Sequence, residues 1–157
     1  MFKIYFLYPK ERSNMDKYTA QQVMNGTWGE LWIDGEYMAE VTAFEAKVSL
    51  DKTDVNMTRR LAKAQKVTGF SCSGSLTMNK VSSFFIRKLN EDMKQGKQTA
   101  CTIISKLDDP DAIGSERIVI KDAVFDELIL ANWSAKTLGE EQINFTFSDW
   151  DLLDIAE

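Results

Sequence analysis

Two segments of this chain alternate between apolar and small polar residues, and this alternation restricts both to β-strands with one buried face. Residues 70–78 have the sequence FSCSGSLTM and residues 142–148 have the sequence QINFTFS. Successive side chains of a strand point to opposite faces of the sheet, so a period of two places the polar residues together on one side. The pattern predicts a wet face formed by Ser71, Ser73, Ser75, Thr77, Gln142, Asn144 and Thr146.

Other parts of the chain also carry strand signals. Residues 27–33 contain aromatic and β-branched residues, and the Asp34-Gly35 dipeptide that follows is favoured in two-residue hairpins, where both positions need positive φ. The apolar positions change phase near Ala43, which predicts a β-bulge or a strand that crosses between sheets. Residues 116–130 favour one or two further strands.

One segment has the period of a helix instead. Val81, Phe85, Leu89 and Met93 recur every four residues, and Gly96 follows as a C-terminal stop. The spacing predicts a helix over residues 83–95. In a one-domain protein such a helix covers its own sheet first, so we expect its apolar face, including Leu89 and Met93, to pack against the sheet.

A long polar stretch, DKTDVNMTRRLAKAQK at residues 51–66, separates two of the predicted strands. Its second half carries four cations with no acid among them: Arg59, Arg60, Lys63 and Lys66. A stretch of this length and polarity predicts a long exposed hairpin tip or loop, of the kind that is either disordered or functional in compact domains.

The sequence offers few groups for metal binding or nucleophilic catalysis. It contains no histidine, which is the most common general base at neutral pH and a frequent zinc ligand. The acidic run at residues 108–111 does not match an EF-hand, because Ile120 stands where the calcium loop needs Glu, and a surface turn at Pro110 is favoured instead. Cys72 and Cys101 have no paired spacing, which favours two reduced thiols.

Paired carboxylates are the remaining candidates for acid/base chemistry. Glu140-Glu141 and Asp126-Glu127 are sequence neighbours, so on strands their side chains would point to opposite faces, and we expect solvated charge. We therefore expect no catalytic residues, no metal and no cofactor. Four tryptophans have no basic residues interleaved as a base-stacking platform needs, and core or subunit contacts are expected for Trp28, Trp32, Trp133 and Trp150.

The charge balance and hydropathy limit the partners. With 24 acidic and 19 basic residues the net charge is -5, which disfavours a nucleic-acid-binding module because the long-range field repels phosphate. No apolar run approaches the roughly 20 residues of a membrane helix, so no membrane anchoring is expected.

Three separated segments carry a family resemblance. They are residues 26–44, GTWGELWIDGEYMAEVTAF, residues 105–133, SKLDDPDAIGSERIVIKDAVFDELILANW, and residues 142–155, QINFTFSDWDLLDI. In this order they resemble the XkdM-like tail tube proteins of contractile phage tails, defective prophages and R-type bacteriocins such as the diffocin class. The resemblance covers nearly everything from about residue 24 onward.

The resemblance implies a mainly β (α+β) subunit, namely a twisted β-sandwich or half-barrel of the tail tube type with one flanking α-helix. It also implies that six copies form a ring with a continuous inner β-barrel. Stacked hexameric rings would form the inner tube of a contractile tail, acting as conduit for DNA or as piercing needle. The predicted wet face would then line the lumen. The basic loop with Arg59, Arg60, Lys63 and Lys66 would contact the neighbouring subunit or the next ring.

The resemblance further implies the partners and the location. Besides copies of itself, the chain would meet the tail sheath, tape measure, baseplate and tail-terminator proteins, with DNA only as non-specific cargo in the lumen. It would assemble in the bacterial cytoplasm and reside in a virion or bacteriocin tail. An infectious phage, a defective prophage and a bacteriocin are all compatible with the sequence.

Two other functions remain open at this stage. One is a monomeric β-rich binding module without assembly, and the other is a histidine-free hydrolase, which would need a cleft of perturbed carboxylates. For the domain organisation, we expect an N-terminal extension at residues 1–14 and a single tail tube domain at residues 15–157. Purine-rich codons for residues 11–13 would suit a ribosome-binding site, so we expect a natural start at Met15.

Overall fold

The computed structural model describes residues 18–157, which form eight β-strands and one α-helix. The extension predicted at residues 1–14 and the start predicted at Met15 lie outside the described residues. The elements in chain order are β1 (Gly29–Ile33), β2 (Glu36–Tyr37), β3 (Val41–Val55), β4 (Ala64–Asn79), α1 (Phe84–Lys94), β5 (Cys101–Leu107), β6 (Glu116–Phe125), β7 (Glu140–Phe147) and β8 (Asp149–Asp154). Short 3-10 turns at Ala20–Gln22 and Gly26–Trp28 precede β1.

The first hairpin forms where the sequence predicts it. Strands β1 and β2 pair antiparallel, and Asp34 and Gly35 between them have φ values of 50° and 80°. These are the left-handed conformations that a two-residue turn of this type requires. The Asp34 side chain also reaches across to β5, where its Oδ1 accepts a hydrogen bond from the Thr102 N–H at 2.8 Å. Strand β1 begins at Gly29, because the 3-10 turn occupies the first part of the predicted segment.

Strands β3 and β4 form a second hairpin of fifteen and sixteen residues. The register shifts between Val41 and Ala43, which confirms the bulge predicted from the change of phase. Of the two forms predicted for residues 51–66, the structure has the exposed hairpin tip, and the loop at its end is shorter than the polar stretch. Strand β3 continues to Val55 and β4 starts at Ala64, because the two segments pair with each other after a second register shift next to Asp51.

Strand β6 changes partners along its length, at a corner that it forms with the turn between β7 and β8. Strand β6 pairs with β7 through Val124 and Phe125, and with β8 through residues 117–121. At the corner, Asp122 adopts a φ of 54° and its carboxylate accepts a hydrogen bond from the Ser148 hydroxyl at 3.0 Å. Of the strands expected in residues 116–130, one forms, and it ends at Phe125.

The strands form one antiparallel sheet in the order β2-β1-β5-β6-β7-β4-β3, with β8 also paired to β6. Buried side chains of this sheet and of α1 form a single apolar core, and the sheet does not close. Strand β3 stands at one end of the order, so its outer edge has no neighbour within the described part of the chain. The predicted mainly β class with one flanking helix is confirmed.

Helix α1 closes the core on one side. It begins after Ser83 and ends at Lys94, two residues before Gly96, whose φ of 70° suits a helix C-terminus. Leu89 is buried as predicted, whereas Met93 is 43% exposed at the margin of the sheet. Val81 lies before the first helical turn and is exposed, so its place in the period of four was coincidental.

Aromatic rings link the helix through the core to β6, β7 and β3. The Phe85 ring meets Phe125 at a centroid distance of 4.9 Å, and Phe125 meets Phe145 at 6.0 Å. The Phe145 ring also stacks on Phe44 of β3 at 5.7 Å. It passes directly over Gly74, where an added Cβ would lie 2.4 Å from Phe145 Cζ. Because Gly74 has no side chain, the Phe145 ring has room to pack against the backbone there.

Candidate assembly surfaces

The predicted wet face exists as one continuous surface. Across β4 and β7 the register joins Ser73 to Thr146, Ser75 to Asn144, and Thr77 to Gln142, while Ser71 is paired with Ser49 of β3. All seven candidate residues therefore lie on the same side of neighbouring strands. Their opposite side carries the buried core residues of β4 and β7: Cys72, Leu76, Met78, Ile143, Phe145 and Phe147.

The wet face is polar and nearly neutral along its length. The three β7 side chains on it are exposed and its β4 hydroxyls are exposed or half-buried. On β3, Glu45 and Lys47 stand opposite Ser75 and Ser73, and the Lys47 Nζ lies 3.8 Å from the Glu45 carboxylate. This ammonium therefore has an acidic neighbour on its own subunit. The surface offers hydroxyl, amide and water-facing groups without an aromatic platform.

The hairpin β3–β4 extends past the rest of the subunit. Strand β4 pairs with β7 only from Cys72 onward, so its earlier residues have β3 as their sole strand neighbour among the described residues. We call residues 49–71 the overhang. On the side opposite the wet face, the overhang and the adjoining Val48 form an apolar strip that the subunit leaves half exposed: Val48 at 39%, Leu50 at 55%, Val67 at 49% and Phe70 at 55%.

The tip of the overhang holds three of the four predicted cations. Arg59 has a φ of 62°, and the Arg60 N–H donates to the Met57 carbonyl at 3.3 Å to close the turn. Lys63 is 3.9 Å from the Asp54 carboxylate, so one cation already has an acidic neighbour on its own chain. Lys66 lies further back on β4, paired with Thr53. The four side chains are exposed, but they do not form a single cluster.

Sequence reasoning missed two buried carboxylates. Glu140 is exposed, but Glu141 is 5% exposed and its Oε1 accepts from Lys80 Nζ at 2.5 Å, so the prediction of solvated charge was wrong for Glu141. Asp109, in the turn correctly predicted at Pro110, accepts from the Asn25 N–H at 2.8 Å and thereby ties the segment before β1 to the end of β5. Neither role follows from spacing alone, because both partners are distant in sequence.

The thiols are positioned for packing and have low nucleophilicity. Cys72 and Cys101 are free and buried. Burial and the nearby Asp34 carboxylate together raise the pKa of the Cys101 thiol to about 11, against a smaller opposing effect of Lys88. Burial also raises the pKa of Cys72. Since the thiolate is the nucleophilic form, both groups stay unreactive near neutral pH.

A surface groove lies between β1 and the start of β3 and has a volume of about 530 Å³. Glu30 is the one carboxylate in its lining, accompanied by Lys106, Leu31, Met38 and Phe44. A glycosidase-like mechanism needs two carboxylates across the substrate, and this groove does not supply the pair. Within residues 18–157, His, Cys, Asp and Glu nowhere gather in a group of three or more suited to a metal ion. No helix in the described range is both long and apolar enough to cross a membrane.

Comparison with known proteins identifies the family of the chain. A family model described as "Phage tail tube protein" matches residues 16–154. The chain belongs to the phage tail tube protein family. One relative, the phage-like element PBSX protein XkdM of Bacillus subtilis (strain 168), is 35% identical over 135 residues, which cover 85% of this chain and 92% of XkdM.

Solved structures share the fold of this tail tube protein at low sequence identity. A chain of the anti-feeding prophage baseplate, in a 6-fold symmetrised structure, superposes with a TM-score of 0.60 at 7% identity, covering 80% of this chain and 90% of that one. A chain of the PVC sheath–tube complex, an extracellular contractile injection system, gives a TM-score of 0.66 at 9% identity, covering 84% and 92%. The tail tube protein is a structural component of tails.

Proposed function

We propose that six copies of this tail tube protein close into a ring in which their sheets form one continuous inner β-barrel, and that the rings stack into the inner tube of a contractile tail. The observation that carries the proposal is the continuous wet face of β3, β4 and β7 on a member of this family. A face of hydroxyls and amides suits the wall of a water-filled channel. The free outer edge of β3 gives ring closure a strand to pair with.

The proposed lumen wall comprises the seven residues of the wet face: Ser71, Ser73, Ser75, Thr77, Gln142, Asn144 and Thr146. DNA would pass it as non-specific cargo, since each unpaired cation on the wall would add counterion-release affinity for phosphate and slow its passage. The Glu45 carboxylate beside Lys47 limits this attraction. The same tube would serve equally as a piercing needle in a particle without DNA.

The remaining partners follow from the same assembly. The tube would be enclosed by a sheath, set in length by a tape measure protein, and bounded by baseplate and tail-terminator proteins. Contact between tube and sheath is supported by the fold shared with the PVC sheath–tube complex. The subunit would have no catalytic role, and assembly would take place in the bacterial cytoplasm before the tail forms part of a virion or bacteriocin.

Electron microscopy of the purified protein tests the proposal. We expect a monomer or hexamer at low concentration and stacked sixfold rings or tubes when the protein is concentrated or nucleated. Native particles should contain the subunit in their inner tube. A protein that stays monomeric under all conditions and is missing from such particles contradicts the proposal and favours the monomeric binding module.

A further inference from the structure

The apolar strip on the overhang is only partly covered within its own subunit. We propose that a second copy of this chain, the neighbour in the same ring, covers the strip formed by Val48, Leu50, Val67 and Phe70. The inference rests on the proposed tube and adds to it the surface by which each subunit holds the next. Contiguous exposed apolar side chains of this kind mark interaction sites in soluble proteins.

The register of the hairpin determines where the strip points. Ser49 and Ser71 form a pair on the wet face, and Leu50 and Phe70 form the next pair on the opposite face. When the wet face of the overhang lines the lumen, the strip therefore points outward from the channel at the same height. The space directly outside the lumen wall is occupied by protein in a closed ring, so the strip meets the body of an adjacent subunit.

The strip is also continuous with the core of its own subunit. The Phe70 ring lies 5.7 Å from Trp150 in an edge-on arrangement, and Trp150 lies 6.4 Å from Phe147, which is buried. A neighbour that covers Phe70 would therefore extend an existing core instead of forming an isolated contact. This is the composition of stable homo-oligomer interfaces, whose buried centres resemble a protein interior.

The unpaired edge of β3 explains why the occupant is a second copy. This edge runs the length of the overhang beside Leu50 and ends the strand order of the subunit. In the proposed ring the edge pairs with a strand of the adjacent subunit, and that subunit's body then lies next to the strip. One contact supplies both backbone hydrogen bonds and apolar cover, as in strand addition between proteins.

Thiol protection tests which side of the overhang is covered. We would prepare Leu50→Cys and, as its matched control, Ser49→Cys, the adjacent residue on the opposite face. Each variant is mixed as a minor component into wild-type protein so that assembly is driven by the wild type. The native thiols are buried and serve as background. A small maleimide is then reacted with the monomer and with the purified tubes.

We expect both introduced thiols to react at similar rates in the monomer. In tubes, Leu50→Cys should react slower by about tenfold or more, whereas Ser49→Cys should stay reactive because it faces a water-filled channel. Leu50→Ser, expected to leave the monomer folded because the side chain is half exposed, should also raise the protein concentration needed for tube formation by about tenfold.

The outcomes separate this inference from the proposed function. Wild-type tubes in which both thiols stay reactive overturn the inference and leave the tube standing. Protection of Ser49→Cys in place of Leu50→Cys overturns it as well, because the overhang would then be turned over. Protection that appears only in sheathed particles assigns the strip to another protein, which again overturns it. A wild type that never forms rings overturns the proposed function, and the inference with it.

Discussion

The two halves of the β3–β4 hairpin have the same alternation of residues but different surroundings. In the base, where β4 also pairs with β7, the apolar side chains are enclosed, as with Leu76, which is 1% exposed. In the overhang, equivalent positions such as Leu50 are half exposed. One strand pair therefore has two environments: the apolar side chains of its base are part of the core, and those of its overhang stay half exposed.

The difference shows that a sequence pattern identifies an apolar face but does not tell whether that face is buried, because burial depends on what packs against it. The free energy from burial of an apolar side chain scales with the area removed from water. The base gains this free energy when the chain folds, whereas the overhang gains it only when a partner arrives. Substitutions in the base should therefore lower the stability of the monomer, and substitutions in the overhang should alter assembly.

The largest effect is expected for truncation of a buried leucine in the base. Leu76→Ala should lower the free energy of unfolding by about 2–5 kcal/mol, because it leaves a cavity in the core. Leu50→Ala, the matched change in the overhang, should cost about 0.5 kcal/mol in the monomer. Urea denaturation of both variants measures the difference. Equal losses would show that the overhang folds back on the body and that the two halves do not differ.

Helix α1 provides the same contrast outside the hairpin. Leu89→Ala should also cost about 2–5 kcal/mol as a core truncation, while Met93→Ala, at the exposed end of the same face, should cost about 1 kcal/mol or less. Thermal unfolding monitored by circular dichroism compares the two. An unchanged melting temperature for Leu89→Ala would place the face of the helix in solvent.

Glycines on β4 sharpen the comparison between base and overhang. In the base, a Cβ at Gly74 would lie 2.3 Å from the Glu45 carbonyl oxygen and 2.4 Å from the Phe145 ring. Gly74→Ala should cost about 1–3 kcal/mol through overpacking. In the overhang, a Cβ at Gly69 would meet its nearest neighbour at an ordinary 3.6 Å, so Gly69→Ala should change stability by about 0.5 kcal/mol or less. Similar losses at both sites would contradict the close approach at Gly74.

The turn at Asp34 differs from the tip of the overhang, because an ion pair with Lys88 holds it to the body of the subunit and depends on pH. The Asp34 turn is held by the body: burial raises the pKa of this carboxyl, but the Lys88 ammonium and the Thr102 N–H lower it more, so that the net shift is downward. A lowered pKa contributes stability above the unfolded value of about 3.8, and this contribution is lost as the pH falls through the folded value.

Asp34→Asn keeps the tolerance for positive φ but removes the charge. It should cost about 1 kcal/mol or less at neutral pH, a small figure because the pair is partly exposed. The cost should disappear as the pH falls through the folded-state pKa of the wild-type carboxyl, which lies below 3.8. Denaturation at pH 7 and at a series of pH values below 3.8 measures this. A difference that stays equal over the whole series would mean that the ion pair with Lys88 contributes nothing.

The tip of the overhang should have the smallest effect on monomer stability. Arg59→Glu combined with Arg60→Glu should leave the melting temperature nearly unchanged, because exposed charges contribute about 0–1 kcal/mol. If the tip contacts acidic surface on an adjacent subunit or ring, the reversal should reduce the rate of tube formation sharply, and salt should slow the wild type. Arg59→Gln with Arg60→Gln is the neutral control. Wild-type assembly rates for the double reversal would exclude the tip as an assembly element.

Local patterns determined much of this protein. The Asp34-Gly35 turn, the helix at Phe84–Lys94 and the wet face of β4 and β7 all follow from preferences that act within a few residues: positive φ, helix capping, and the period of two. The family also followed from the sequence, because its three segments appear in order. These features needed no knowledge of what lies across the core.

The tertiary structure decided which side chains are buried and which distant residues they contact. Spacing did not show that Glu141 would be buried beside Lys80, that Asp109 would hold Asn25, or that half of the polar stretch would continue as strand. Each depends on partners many residues away, which only the folded sheet brings together. The sequence by itself determined which faces are polar and which are apolar. The fold decided which apolar face is core and which is left for a neighbour, because burial depends on what lies on the other side.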